Sequence, residues 1–138
     1  MHSGCEFCKI LHKNTEAILF QDNQFFAFHD IDKASAREHV LVCTKEHIET
    51  ALDVTNPDVL FEMEKVGKKV LDSLCATKSL GKNHRFGFHL PPYNSIDHIH
   101  LHCFTLPFDS IIKDKIVYGK MLTSVEDVRK KIDKRPKL

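Results

Sequence analysis

Residues 97–104 read Asp-His-Ile-His-Leu-His-Cys-Phe. Strict alternation of imidazole and apolar side chains has the two-residue period of a β-strand, which a helix cannot reproduce. In a strand, His98, His100 and His102 share one face, while Ile99, Leu101 and Cys103 share the other. The apolar face suits a hydrophobic core. The chain must therefore build a sheet that is buried on one side and carries a row of imidazoles on the other.

The remaining pattern supplies such a sheet. AILF (17–20), FFAFHDI (25–31) and HVLVCT (39–44) read as strands, separated by QDNQ and by the polar stretch from Ile31 to Glu38. CEFCKILHK (5–13) suits a short helix or turn. Asn56 is suited to cap a helix that Pro57 opens. Val59, Leu60, Met63, Val66, Val70, Leu71 and Leu74 then recur at helical spacing to about Thr77. RFGFHL (85–90) and HIHLHCF (98–104) read as two further strands, joined by a loop too long for a tight hairpin. KIVYGKML (115–122) fits strand or loop. Ser124 to Asp127 resembles a capping box that opens a last helix ending before Pro136. The expectation is an α+β fold: a five-stranded, mainly antiparallel sheet with one long helix and short flanking helices. The 138 residues suit a single domain over 1–138, with a core at about 5–106 and a C-terminal extension at 107–138.

Composition narrows the function classes. The formal net charge is +1, which gives no general electrostatic case for nucleic acid or a membrane surface. The chain lacks a run of about 18 apolar residues, and its first residues lack the charged start and apolar stretch of a secretion signal. A cytoplasmic location, with the nucleus as second compartment, is the expectation. Five cysteines without a secretion signal argue against a disulfide framework. Cys43, Cys75 and Cys103 lie in apolar contexts and read as small core residues. Phe25, Phe26 and Phe28 read as core before base pocket. Cys5 and Cys8 form a Cys-x-x-Cys pair, a weak zinc signal by itself, and zinc needs four ligands.

Two chemistries suit the row of imidazoles. Two histidines on one strand and a third from a neighbour, such as His29, His39 or His89, could form a three-histidine metal centre with an open position. Alternatively, one imidazole attacks phosphorus while another handles protons. Histidine suits both tasks because its ordinary pKa lies near neutrality. These residues alone leave both readings open.

The pattern His98-Ile99-His100-Leu101-His102-Cys103-Phe104 resembles the motif of the histidine triad superfamily, in which three histidines alternate with apolar residues. Cys5-Glu6-Phe7-Cys8-Lys9-Ile10 is similar to that superfamily's opening. Phe28-His29-Asp30-Ile31 resembles its nucleoside-binding segment. His39-Val40-Leu41-Val42 with Lys45-Glu46-His47-Ile48 is similar to its third characteristic stretch. Arg85 to His89, with Pro91 to Ile96, resembles the histidine triad nucleotide-binding protein 3 branch, close to the aprataxin-like enzymes. His102 stands where the diadenosine-polyphosphate branch has Gln, and the His-Pro-His-Gly-Gln form of the nucleotidyl transferases is absent. Gly87 to Tyr93 replace the Asn- and Gly-rich loop of the smaller members.

The resemblance implies an adenosine 5'-monophosphoramidase. His100 would attack the α-phosphorus of an AMP-amine conjugate, an adenylyl-histidine would form, and water would release AMP. His102 would contact phosphate and handle protons, with His98 and His39 completing the catalytic group. Asp30 would bind the ribose hydroxyls and Ile31 would pack on the base. Asn94, Ser95 and Leu101 would join His100 and His102 around the nucleotide. Cys5, Cys8, His47 and His98 would hold a structural zinc, with no organic cofactor. The resemblance further implies a homodimer. The alternatives are an aprataxin-like deadenylase, an acyl-adenylate hydrolase, a non-catalytic nucleotide-binding protein and a hydrolytic three-histidine zinc enzyme. The deadenylase is disfavoured by the low net charge and the lack of a C-terminal Cys/His finger.

Overall fold

The computed structural model describes residues 4–30, 36–78, 80–81, 83–108 and 113–135. In chain order the elements are α1 (Glu6–Lys13), β1 (Ile18–Gln21), β2 (Phe25–His29), β3 (Ala36–Thr44), α2 (Asp58–Lys78), β4 (His84–His89), β5 (His100–Phe108), a π-helical segment (Lys113–Lys120), β6 (Leu122–Thr123) and α3 (Val125–Asp133). The sheet order is β1-β2-β3-β5-β4-β6, and every pairing is antiparallel. The α+β class and antiparallel sheet match the expectation. The strand count is six rather than five, because Leu122 and Thr123 pair with His89 and Phe88 at the outer edge of β4. A two-residue strand is too short to carry an alternation signal, so KIVYGKML fitted strand or loop equally. Asp58 to Lys78 form the long helix; the Asn56 side chain accepts from the Asp58 N–H at 3.1 Å, an Asx cap just before its first turn. Ser124 caps α3 by accepting from the Asp127 N–H at 3.2 Å.

The triad segment lies at the centre of this sheet. β5 has β3 on one side and β4 on the other. Ile99, Leu101 and Cys103 pack below it against Leu60, Met63 and Leu71 of α2. Fully burying each such aliphatic side chain contributes roughly 1.5–3 kcal/mol, so this face holds the strand in register. The opposite face is also covered: His98, His100 and His102 are 0 %, 7 % and 5 % exposed. Segments outside the sheet therefore close over the imidazole face. α1 lies over one end of the row, where Phe7 joins Phe26, Phe28, Leu41 and Cys43 in a second cluster. Tyr118 of the π-helical segment covers the other end with Phe104 and Ala36. Arg85 pins that segment to β4 by donating to the Asp114 and Tyr118 carbonyls, both at 3.1 Å, and by pairing with the Asp114 carboxylate at 3.0 Å. Residues past 107 thus help to build the site. Cys43, Cys75 and Cys103 are buried as expected. Among the described residues, no helix is long and apolar enough to cross a membrane.

Gly67 sets how closely α2 approaches β5. A Cβ at this position would lie 2.5 Å from the Cys103 sulfur and 3.3 Å from the Phe86 ring. Overpacking of this kind costs about 1–3 kcal/mol. Gly67→Val should lower unfolding stability by that amount in urea titration, with the loss seen in the midpoint rather than the slope.

Candidate active site

β3 and β5 bring His39 and His102 together, and the end of β2 adds Asp30 beside them. His39 Nε2 lies 3.0 Å from His102 Nδ1 and 3.3 Å from Asp30 Oδ2. The carboxylate can only accept, so the proton belongs on His39 Nε2. That N–H then faces a lone pair on His102 Nδ1, and His102 must carry its own proton on Nε2. Among the described residues, His102 Nε2 is buried without a hydrogen-bond partner. An orphaned buried donor costs about 1–3 kcal/mol, and here it belongs to a ring that borders a cavity. A ligand oxygen would remove that cost.

His100 is fixed in the complementary state. Its Nδ1 is 2.7 Å from the His98 carbonyl oxygen, which can only accept. Nδ1 therefore carries the proton, and Nε2 keeps its lone pair. Burial lowers the pKa of His100 and outweighs the opposing hydrogen bond to the His98 carbonyl, with smaller contributions from His89, which lowers it, and Asp30, which raises it. Burial pushes His102 down further, with the surrounding imidazoles adding to the effect. Both rings rest neutral around the ordinary histidine value, which keeps a nucleophilic nitrogen on His100.

The cavity above these rings has a volume of about 830 Å³. Phe7 and Ile10 of α1, Phe28, Leu41 and Ile96 supply apolar walls, and Asp30, His100, His102 and Ser95 supply polar groups. An apolar slot with a few convergent polar groups is the usual form of a small-molecule site. The lining contains no Lys or Arg among the described residues, so a bound anion would depend on imidazole N–H groups. Phe28 serves both core and cavity, whereas Phe25 and Phe26 are core alone. Ser95 is exposed and borders the cavity. Asn94 instead donates to Asp97 at 3.0 Å and borders a smaller neighbouring cavity. Leu101 is 0 % exposed in the core beneath the sheet, so its side chain cannot line a nucleotide; this corrects its placement among the binding residues. Ile31 lies outside the described residues.

Sequence reasoning missed the cavity wall provided by α1. Its signal was the three-residue spacing of Phe7 and Ile10, obscured by the short length of the segment. It also missed Tyr118, whose ring lies 5.4 Å from His39, 5.6 Å from His102 and 5.5 Å from His89. A single tyrosine in an irregular segment carries no periodic signal.

A second cluster adjoins the triad. Cys5 Sγ is 3.3 Å from His98 Nδ1, while Cys8 Sγ is 3.5 Å from His47 Nδ1 and 3.6 Å from His98 Nδ1. All four donor atoms lie within 4.8 Å of one another. His98 Nε2 donates to the Thr44 carbonyl at 2.8 Å, which turns the Nδ1 lone pair toward the sulfurs. Such an outer partner is the common means of orienting a metal-binding imidazole. Burial raises the Cys5 thiol above its usual range. This donor set fits a tetrahedral zinc. Asp30, His39 and His102 also place three donor atoms within 4.8 Å, but their mutual geometry is already that of an ordered hydrogen-bond chain.

Residues 4–118 match the family described as "Scavenger mRNA decapping enzyme C-term binding". The chain belongs to this family of the histidine triad superfamily. It is 42 % identical over 113 residues to the bifunctional adenosine 5'-phosphosulfate phosphorylase/adenylylsulfatase HINT4 of Arabidopsis thaliana, covering 78 % of this chain and 74 % of the relative. It is 35 % identical over 114 residues to the adenosine 5'-monophosphoramidase HINT3 of Danio rerio, covering 79 % and 68 %. A solved histidine triad family hydrolase from Clostridium thermocellum superposes with a TM-score of 0.65 at 27 % identity, covering 78 % of this chain and 94 % of that one.

The neutral imidazoles fix the expected pH response. Protonation of His100 would remove its lone pair, so the acidic limb of kcat/KM should fall below pH 6.5, the ordinary histidine value. A pH–rate profile for hydrolysis of a nucleotide substrate checks this. An acidic limb above 6.5 would contradict the buried neutral state.

Proposed function

We propose that this histidine triad protein is an adenosine 5'-monophosphoramidase that cleaves the P–N bond of AMP-amine conjugates through a covalent adenylyl-His100. The observation that carries this reading is the pair of opposed tautomers: a lone pair on His100 Nε2 beside an N–H on His102 Nε2. One ring can bond to phosphorus while the other donates to a phosphate oxygen. The nucleoside would occupy the apolar end of the cavity, with its ribose hydroxyls donating to Asp30 and its base between α1 and Phe28.

In the first step, His100 Nε2 forms a bond to the α-phosphorus as the bond from phosphorus to the amine nitrogen breaks. The amine must leave with an added proton. A phosphate anion beside the His100 and His102 imidazoles opposes the effect of burial, and so draws a proton onto the cluster with the substrate. In the second step, water attacks phosphorus, and the P–N bond to His100 breaks with its electron pair returning to Nε2. Splitting one displacement into two is the usual gain from covalent catalysis.

The 42 % identity to a relative named for adenylylsulfate chemistry supports a second reading, in which the leaving group is sulfate. The adenylyl-histidine is common to both, and the readings differ in the need for a leaving-group proton. Comparing AMP release from an AMP-amine phosphoramidate and from adenosine 5'-phosphosulfate distinguishes them. His100→Gly should lower turnover of either substrate by at least ~10³-fold, while AMP affinity by calorimetry stays within a few-fold. Undiminished turnover in the variant would remove His100 as nucleophile.

We further propose that Cys5, Cys8, His47 and His98 hold a structural zinc. When bound, the ion would tie α1 to the segment that enters β5. Metal analysis of purified protein should give about one zinc per chain, and Cys8→Ser should reduce both zinc content and thermal stability. Full stability of the wild-type protein after complete metal removal would contradict a structural role.

A further inference from the structure

His89 ends β4 on the opposite side of β5 from the nucleoside wall. Gly87 pairs with His102 across these two strands. Continuing that antiparallel register by two residues brings His89 opposite His100 on the same face. The His89 ring lies 4.6 Å from the His102 ring and stacks with Tyr118 at 5.5 Å and 17°. Its Nε2 is 2.7 Å from the Val117 carbonyl, which can only accept. Nε2 therefore carries the proton, and Nδ1 has a lone pair. Burial favours this neutral form by lowering the pKa of His89. His89 and His100 also border a small cavity of about 10 Å³ together with Asn94 and Ile96. That volume is on the order of a single water site.

These features meet a need that the triad leaves open. After the first displacement, the leaving group vacates the position opposite His100, and water must enter there in line. With the nucleoside on the β2–β3 side, the water would enter on the side of the small cavity, where His89 of β4 and Glu49 of the loop after β3 are the titratable side chains outside the triad, and His89 is the one whose ring packs against His102. We infer that His89 is a catalytic residue that holds this water and accepts its proton as it attacks the adenylyl-His100 intermediate. The water oxygen bonds to phosphorus, the bond from phosphorus to His100 Nε2 breaks, and its electron pair remains on Nε2. The water's proton passes to His89 Nδ1 and then to solvent, leaving AMP and neutral His100.

This inference rests on the adenylyl-His100 reading, and the p-nitrophenyl ester of AMP separates the two. Its leaving group departs without a proton, so nitrophenol release reports attack by His100, whereas AMP release reports the water step. Wild type should release both products at one linear rate. His89→Gln keeps a donor for the Val117 carbonyl but cannot take a proton. It should show a burst of about one nitrophenol per chain, followed by turnover about 10²-fold slower, with AMP retained on the peptide that contains His100. His89→Ala should show the same burst, and added imidazole should restore the slow phase. Linear release by both variants, or equal slowing of both products without imidazole rescue, would overturn the role of His89 while leaving the nucleotide hydrolase reading in place. Wild type that releases no nitrophenol would overturn that reading and the inference with it.

Discussion

The hydrogen bond from His100 Nδ1 to the His98 carbonyl, at 2.7 Å, is the constraint on which the site depends. A carbonyl accepts and never donates, so this contact fixes one tautomer of a ring that otherwise has two. It leaves the lone pair on Nε2 and does so without a charged partner. The same residue that supplies the carbonyl points its side chain into the Cys5, Cys8 and His47 cluster. His98 thus faces two ways: its backbone carbonyl orders the His100 ring, and its side chain meets the Cys5 and Cys8 sulfurs at α1. The histidine triad is better described as three rings with three duties than as a row of equivalent ligands.

Strand geometry makes this division possible. Alternation within β5 places His100 and His102 on one face, His98 just before the strand meets the same Phe7 ring as His100, and the central position of β5 lets neighbours approach from both sides. β3 contributes His39, whose proton is oriented by Asp30, and β4 contributes His89. Burial lowers the pKa values of His89, His100 and His102, which favours their neutral forms. Among the described residues the cavity is lined by imidazoles rather than Lys or Arg, so in the proposed reaction it gains positive charge only when a phosphate brings a proton with it. Binding and protonation would then be linked, which suits the proposed reaction, with a proton needed in its first step and released in its second.

Much of this was legible in the sequence where a period or a spacing repeats. The alternating triad located β5 and its two faces, and the helical recurrence from Val59 to Leu74 located α2. The motif segments brought Cys5, Cys8, His47 and His98 into one group and His39 beside His102, as the fold places them. Features without a period were not legible. The two residues of β6 are too few to alternate, and Tyr118 sits in an irregular segment whose value comes only from what it covers. Leu101 lies within the motif yet points into the core, because adjacency in a strand separates side chains across the sheet. The cover over the histidine face was not legible for a related reason. Pattern shows which residues share a face, whereas coverage of that face depends on distant segments folding over it.

The stereochemical course at phosphorus tests the central claim most directly. The substrate would be an adenosine phosphoramidate made chiral by one sulfur on phosphorus and hydrolysed in isotopically labelled water. Two successive in-line displacements, the first by His100 and the second by water, predict overall retention of configuration. Overall inversion would mean that water attacks the substrate in a single step and would contradict the covalent adenylyl-His100 account.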